Sequence, residues 1–285
     1  MNGKITRIIS NLFTVKVGEE LYGCRARGRF RKDGVSPIVG DNVVIDVNDN
    51  YILEILPRTN QLDRPVIANV DMAFIVTSTK KPNLDLVLLD KLISVITFNG
   101  IEPVIILTKT DLLQREEEIE YVKDLKDYYE MIGIKVFYNT EVNEIKRIVE
   151  NKLIVLAGQT GAGKSSLLNR LDTDLDIKTD EISEALGRGK HTTRHVELYE
   201  IGKGLIADTP GFSALDLKNI DKYQLKDTFI EFGNYECKFR DCLHNKEIGC
   251  GVKDGVENKQ ILRTRYENYL DFLKELEKWK YQYLF

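Results

Sequence analysis

No apolar run in this chain approaches the roughly 20 residues needed to span a bilayer. The opening stretch, MNGKITRIIS, lacks the long apolar core of a secretory signal. A cytoplasmic protein with no membrane contact is expected. Cysteine occurs only four times, histidine three, proline six and tryptophan once among 285 residues. So few cysteines exclude a disulfide scaffold. So few prolines, with no internal repeat and no low-complexity tract, exclude a fibrous or linker-dominated chain. Charge of one sign is also lacking: 41 Lys and Arg stand against 45 Asp and Glu, a net −4. That balance excludes a uniformly basic nucleic-acid binder, although it leaves room for a local basic patch. What is present, 42% hydrophobic and 30% charged residues, fits a globular protein of about two domains.

From Lys4 to about Ile55 the runs ITRII, LFTVKV, NVVIDV and YILEI are broken by Gly, Asn and Asp, which predicts a small barrel of short strands. Between them, CRARGRFRKDGVSPIVGD reads as a Gly- and Pro-punctuated loop carrying Arg25, Arg27, Arg29, Arg31 and Lys32. On composition alone it fits a charged edge that resists strand pairing. Cys24 has no Cys or His near it and reads as an ordinary half-buried thiol. After PRTNQLDRPVIANVD the texture changes. MAFIVTS, PVIILT, IKVFYN and LIVLAG read as strands. Between them lie an apolar helix stopped by Gly100, a charged helix from about Leu113 to Met131 and a helix from about Val142 to Glu150. This alternation predicts a parallel α/β sheet covered on both faces. Beyond Gly211 it stops, and the chain finishes with a Cys/His cluster and one long amphipathic helix, about Val256 to Leu284.

The segment Gly158, Gln159, Thr160, Gly161, Ala162, Gly163, Lys164, Ser165 fits the phosphate-loop pattern G-x-x-x-x-G-K-[ST], directly after LIVLA and opening the helix KSSLLNRL with Ser166. Glycines let backbone N–H groups turn toward a β-phosphate, and the helix N-terminus adds positive potential. Lys164 is expected on the β- and γ-oxygens and the Ser165 hydroxyl on Mg²⁺. The Asp208–Gly211 stretch, DTPG, follows the apolar run GLIA about forty-five residues later. Asp208 is placed to hold Mg²⁺ through water and the Gly211 N–H to sense a γ-phosphate. In Thr108, Lys109, Thr110, Asp111 the carboxylate can accept from N1–H and the amino group of guanine, donors that adenine lacks there, which disfavours an ATPase. Lys109 can lay its stem along the base and tie back to the phosphate loop. Taken alone the same four residues could merely end a strand and cap a helix. The base-reading stretch precedes the phosphate loop, the reverse of the usual GTPase order. A sheet does not record the order in which its strands were made, so the chain reads as a circularly permuted GTPase.

The order TKTD, GQTGAGKSS, GRGKHTTRH, DTPGF, after a small β-domain and before C-x4-C-x-H-x5-C, resembles the ribosome small-subunit-dependent GTPase A family over essentially the whole chain. The resemblance implies a multidomain α/β protein with an N-terminal OB-fold barrel (1–60), a permuted P-loop GTPase domain (61–218) and a zinc-binding domain with helices (219–285). It implies GTP hydrolysis stimulated by the small ribosomal subunit late in that subunit's maturation, 16S rRNA contact through the basic stretch, and a monomer. GRGKHTTRH lies where switch I belongs: Thr192 or Thr193 completes the Mg²⁺ shell, with Thr193 favoured by the resemblance. Phe212 stands where many GTPases carry a water-orienting Gln, so slow intrinsic hydrolysis is expected, with His191 as the candidate substitute. His195 reads as a packing or surface residue. Cys237, Cys242, His244 and Cys250 fall within fourteen residues and suit a closed, structural tetrahedral Zn²⁺ site. One departure stands out. Tyr138, Asn139 and Thr140 occupy the place where GTPases usually present Ser-Ala to guanine O6. The competing functional class is a zinc-containing RNA-binding adaptor whose nucleotide gates binding with negligible turnover.

Overall fold

The structure is a computed structural model that describes residues 1–28, 30, 34–63, 65–175, 196–208 and 217–282. Five strands, β1 (Asn2–Ile9), β2 (Leu12–Val17), β3 (Glu20–Ala26), β4 (Asn42–Asp46) and β5 (Tyr51–Ile55), close into a barrel in the order β1-β2-β3-β5-β4. All neighbours are antiparallel except the parallel pair β3–β5 that completes the ring. Period-two alternation points Ile5, Phe13, Val15, Val43, Ile45 and Ile52 into one core. The tight turns fall at Ser10, Gly18 and Asn50, all with positive φ.

The basic stretch differs from its reading as a loop. Cys24, Arg25 and Ala26 belong to β3, because Cys24 is the inward-facing residue of that strand. Its thiol is wholly buried rather than half-buried, and burial raises its pKa. The short strands β6 (Gln61–Asp63) and β7 (Val66–Ala68) form a hairpin that the sequence reading passed over.

A six-stranded sheet follows, containing β8 (Met72–Ser78), β9 (Glu102–Thr108), β10 (Lys135–Tyr138), β11 (Leu153–Ala157), β12 (Glu197–Ile201) and β13 (Gly204–Asp208) in the order β10-β9-β8-β11-β13-β12. Pairs β9–β10 and β11–β13 are parallel, and β12 is antiparallel to β13. Every residue of β8 and β11 is buried, the pattern of strands covered on both faces. The helices are α1 (Leu86–Phe98), α2 (Glu116–Met131), α3 (Val142–Val149), α4 (Lys164–Leu171), α5 (Lys222–Asp227), α6 (Gly251–Glu257) and α7 (Arg263–Gln282). Asp85 caps α1, its carboxylate accepting from Leu88 N at 2.9 Å, and Gly100 follows the C-cap with φ +69°. The single C-terminal helix expected from Val256 to Leu284 is instead two, broken at 258–262, where Lys259 takes φ +59° and Ile261 turns into the core.

The chain divides into two compact units. One comprises Met1–Phe74, Glu141–Thr160 and Lys164–Phe212; the other comprises Ile75–Thr140, Gly161–Gly163 and Ser213–Phe285. In the first, Arg58 grips the buried Asp41 through Nε to Oδ1 at 2.6 Å and Nη2 to Oδ2 at 2.8 Å, fastening the chain that leaves the barrel. Lys16 of β2 also pairs with Glu200 of β12 at 2.7 Å. In the second, Phe229, Phe232, Tyr269, Phe272 and Leu273 build an apolar core that includes the cysteines Cys242 and Cys250.

Candidate nucleotide site and candidate metal centre

The phosphate loop leaves β11 at Gly158 and enters α4 at Lys164. Gly158, Gly161 and Gly163 have φ of +124°, +77° and +100°, conformations that side-chain-bearing residues rarely adopt, so the loop can curl only with glycine there. Lys164 Nζ donates to the carbonyls of Gly158 at 2.8 Å and Gln159 at 2.9 Å, at the mouth of the loop. Ser165 is buried in the first turn of α4, and Ser166 faces solvent.

The base-reading stretch is bonded to this loop. Thr108, at the end of β9 and 1% exposed, donates from Oγ1 to the Ala162 carbonyl at 2.6 Å. Lys109 takes a left-handed conformation, φ +58°, which ends the strand and swings its side chain back over the loop. Its Nζ donates to Gly161 O at 2.7 Å and also to Lys81 O. Thr110 and Asp111 form a 3-10 turn, which leaves the Asp111 carboxylate in solvent beyond the strand end. Nearby, Arg115 and then Lys80 hold the Glu118 carboxyl down to about 2 through hydrogen bonds at the start of α2. Asn139, following β10, donates its N–H to Leu107 O at 2.9 Å and so lies alongside the end of β9.

Not all the candidate residues can be placed. Asp208 is located by its backbone at the end of β13. His191, Thr193, His195, Gly211 and Phe212 lie outside the described residues, as do Arg29, Arg31 and Lys32. Arg25 and Arg27 are exposed on the barrel. There Leu12, Arg25 and Tyr51 face one another across β2, β3 and β5, and the Arg27 guanidinium sits 5.9 Å from the centre of the Tyr51 ring.

The four residues of the Cys/His cluster converge, with all ligand atoms within 4.8 Å of one another. A tetrahedral site with metal–sulfur bonds of about 2.3 Å and metal–nitrogen bonds of about 2.0 Å needs S···S near ~3.8 Å and S···N near ~3.5 Å. Here Cys237 Sγ and Cys250 Sγ are 3.8 Å apart, and each lies 3.5 Å and 3.4 Å, respectively, from His244 Nδ1. The donor set therefore fits a metal without rearrangement. His244 adopts φ +57°, its N–H donates to Cys242 Sγ at 3.4 Å, and its ring meets Phe232 edge-on. Glu247 accepts from Leu243 N at 2.9 Å and Asn245 N at 2.8 Å, which closes the loop that carries the histidine. Burial pushes the Cys250 thiol up to about 12 and lowers the His244 imidazole, so these two groups favour their uncharged forms in the absence of a bound cation.

The sequence reading missed a buried ionic cluster. Arg265, 1% exposed, donates from Nη1 to Asp90 Oδ1 at 2.7 Å and from Nη2 to Glu231 Oε2 at 3.1 Å, with Nε also bonded to Glu231. Tyr129 OH and Asn268 Nδ2 each complete Asp90 at 2.7 Å. The signal was present but faint. Arg265 occupies the apolar stripe of α7 shared by Tyr269, Phe272 and Leu276, where a lone charge requires buried partners.

Comparison with known proteins places this geometry. The model of the RsgA GTPase matches residues 55–218, and that of the RsgA N-terminal domain matches residues 2–52. The chain belongs to the RsgA GTPase family. A relative from Enterococcus faecalis, named Small ribosomal subunit biogenesis GTPase RsgA, is 46% identical over 285 residues, covering 97% of this chain and 96% of its own. The crystal structure of YjeQ from Thermotoga maritima superposes with TM-score 0.85 at 33% identity, covering 96% of this chain and 98% of its own. That of YloQ, described as a circularly permuted GTPase, gives 0.84 at 35%, covering 97% of this chain and 95% of its own. As an RsgA GTPase this chain is a GTP-hydrolysing P-loop enzyme with a permuted nucleotide fold behind an OB-like barrel. Among the described residues, no helix is long and apolar enough to cross a membrane.

Proposed function

We propose that this RsgA-family chain binds the small ribosomal subunit late in its maturation and hydrolyses GTP to GDP and phosphate there, stimulated by the subunit. The observation that carries the nucleotide half is the bonding of the base-reading corner to the phosphate loop, Lys109 to Gly161 at 2.7 Å and Thr108 to Ala162 at 2.6 Å. These bonds fix the distance between base and phosphates before a ligand arrives, and such preorganisation is what a phosphoryl-transfer site requires. Asp111 accepts from guanine, with Thr110 beside it. Gly158–Gly163 wrap the phosphates, and Lys164, released from its carbonyls, neutralises charge on the transferring group. Ser165 and Thr193 would hold Mg²⁺, with Asp208 behind, and Gly211 would report on the γ-phosphate. When bound, Mg²⁺ would supply charge neutralisation on the phosphates. His191 orients the attacking water in place of the usual Gln.

The partner half rests on the relatives' names and on the barrel. Arg25, Arg27, Arg29, Arg31 and Lys32 contact the 16S rRNA backbone from the OB-like domain, residues 1–60, while residues 61–218 carry the GTPase and 219–285 the metal module. Cys237, Cys242, His244 and Cys250 hold one structural Zn²⁺, their spacing supporting four protein ligands with no open position. The protein works as a cytoplasmic monomer. GTP turnover with and without salt-washed small subunits tests the proposal: slow basal hydrolysis that subunits accelerate supports it, and indifference to subunits removes the partner. His191→Ala retaining full stimulated turnover would remove the assigned water-orienting role.

A further inference from the structure

We infer that Asn268 and Arg265 are positioning residues that join the metal loop to the base-reading corner, so that metal and guanine nucleotide strengthen each other's binding. The inference rests on the reading of Lys109 and Asp111 as the guanine site and adds a regulator to it. Just over one turn of α7 holds both partners. On one side, Tyr266 OH donates to His244 O and Tyr269 OH to Leu243 O, each at 2.6 Å, so the backbone of the metal loop is tied to this helix. On the other, Arg265 and Asn268 clasp both oxygens of Asp90 in α1, and Asn268 Nδ2 also donates to Leu86 O at 3.2 Å, in the first turn of α1. Lys91 and Glu275 pair between the same two helices at 2.9 Å.

The N-terminal turn of α1 lies a few residues from the nucleotide corner. Asp85 caps it, and before Asp85 come Pro82, which abuts Gly161 of the phosphate loop, and Lys81, whose carbonyl accepts from Lys109 Nζ. Lys109 is thus held between Lys81 O and Gly161 O, and Lys81 stands four residues before Asp85, the cap of α1. A metal that orders Leu243 and His244 fixes α7 through two tyrosine hydroxyls. Asn268 and Arg265 pass that constraint to α1, and α1 sets the carbonyl that aims Lys109. Because Arg265, Asp90 and Glu231 are each no more than 2% exposed, water cannot substitute for a lost partner and the contact behaves as a rigid joint. Reciprocity follows by linkage: whatever factor metal adds to nucleotide affinity, nucleotide must add to metal affinity.

The test is a titration of full-length protein with a fluorescent GDP analogue, in zinc-loaded and zinc-stripped forms, for wild type, Asn268→Leu and Tyr269→Phe. Loaded wild type should bind GDP at least about 5-fold more tightly than stripped protein, and GDP should raise zinc affinity by the same factor. In both variants the ratio should fall below the wild-type value while zinc content in the loaded form is retained, Tyr266 and Arg265 keeping the remaining bonds of the joint. A merely structural helix contact would change stability and leave the ratio intact. A wild-type ratio of one, or variants that keep the wild-type ratio, would overturn the inference. Should Asn268→Leu fail to fold, Tyr269→Phe decides alone, since it removes a single hydroxyl. Loaded wild type that binds no GDP would sink the guanine reading, and this inference with it.

Discussion

In the proposed reading Asp111 carries nucleotide choice, because a carboxylate offers only acceptors. Guanine brings two donors to it, and adenine leaves it unpaired. Asp111→Asn exchanges one acceptor for a donor and suits xanthine, whose O2 replaces the guanine amino group. We expect GTP affinity to fall at least about 100-fold and XTP to become the preferred ligand in competition binding; unchanged preference would show that Asp111 does not meet the base. Gly40 is decisive in a different way. It has φ +88°, and a Cβ there would stand 2.0 Å from Ala68 O. Gly40→Ala must push the chain away from the β6–β7 hairpin, so a loss of about 1–3 kcal/mol is expected, read as a lowered Tm by calorimetry. An unchanged Tm would mean that the hairpin moves freely.

Strands and helices show where local pattern and packing part company. β3 extends through Arg25 because Cys24 fills the barrel interior, which turns Arg25 outward beside Tyr51. A basic side chain fixed on a strand is better aimed than one on a loop, so Arg25→Glu with Arg27→Glu should weaken RNA binding strongly. The salt dependence, log K against log salt, should flatten by about 1 to 2 units for two lost phosphate contacts. An unaltered slope would assign the contact elsewhere. The break between α6 and α7 has a tertiary cause as well. Gly255 packs so closely on Tyr235 that a Cβ would lie 2.6 Å from the ring, and Ile261 is drawn into the core at 1% exposure. Neither Gly nor Pro stands in 258–262, so periodicity alone ran through it.

For the whole molecule, the metal loop is part of the C-terminal core, since Cys242 and Cys250 pack with Phe229, Phe232 and Tyr269. Without the proposed metal, three thiols and an imidazole would have to satisfy themselves in an apolar setting, and binding free energy at such a site is folding free energy. Chelation should therefore expose amides of α5–α7 to hydrogen exchange while strands β1–β5, whose core is separate, keep their protection. Uniform loss across the chain would show that the barrel depends on the metal too.

The order of motifs was legible because each depends on local chemistry. A phosphate loop needs glycines at fixed offsets, a base reader needs Lys and Asp after an apolar strand, and a metal loop needs four soft donors close in sequence. Short strand-forming runs broken by Gly, Asn and Asp gave the barrel, and continuous apolar runs gave the buried strands. Contacts distant in sequence were left to the fold. Asp90, Glu231 and Arg265 meet across 175 positions of chain, and nothing local to any of them requires the other two. The same holds for Thr108 on Ala162, 54 residues away. Sequence by itself determined which chemistry the chain carries, since side-chain type and spacing decide that. Only the tertiary structure decided that α7 bonds both the Cys/His loop and α1, because burial and partnership belong to packed surfaces rather than to the order of residues.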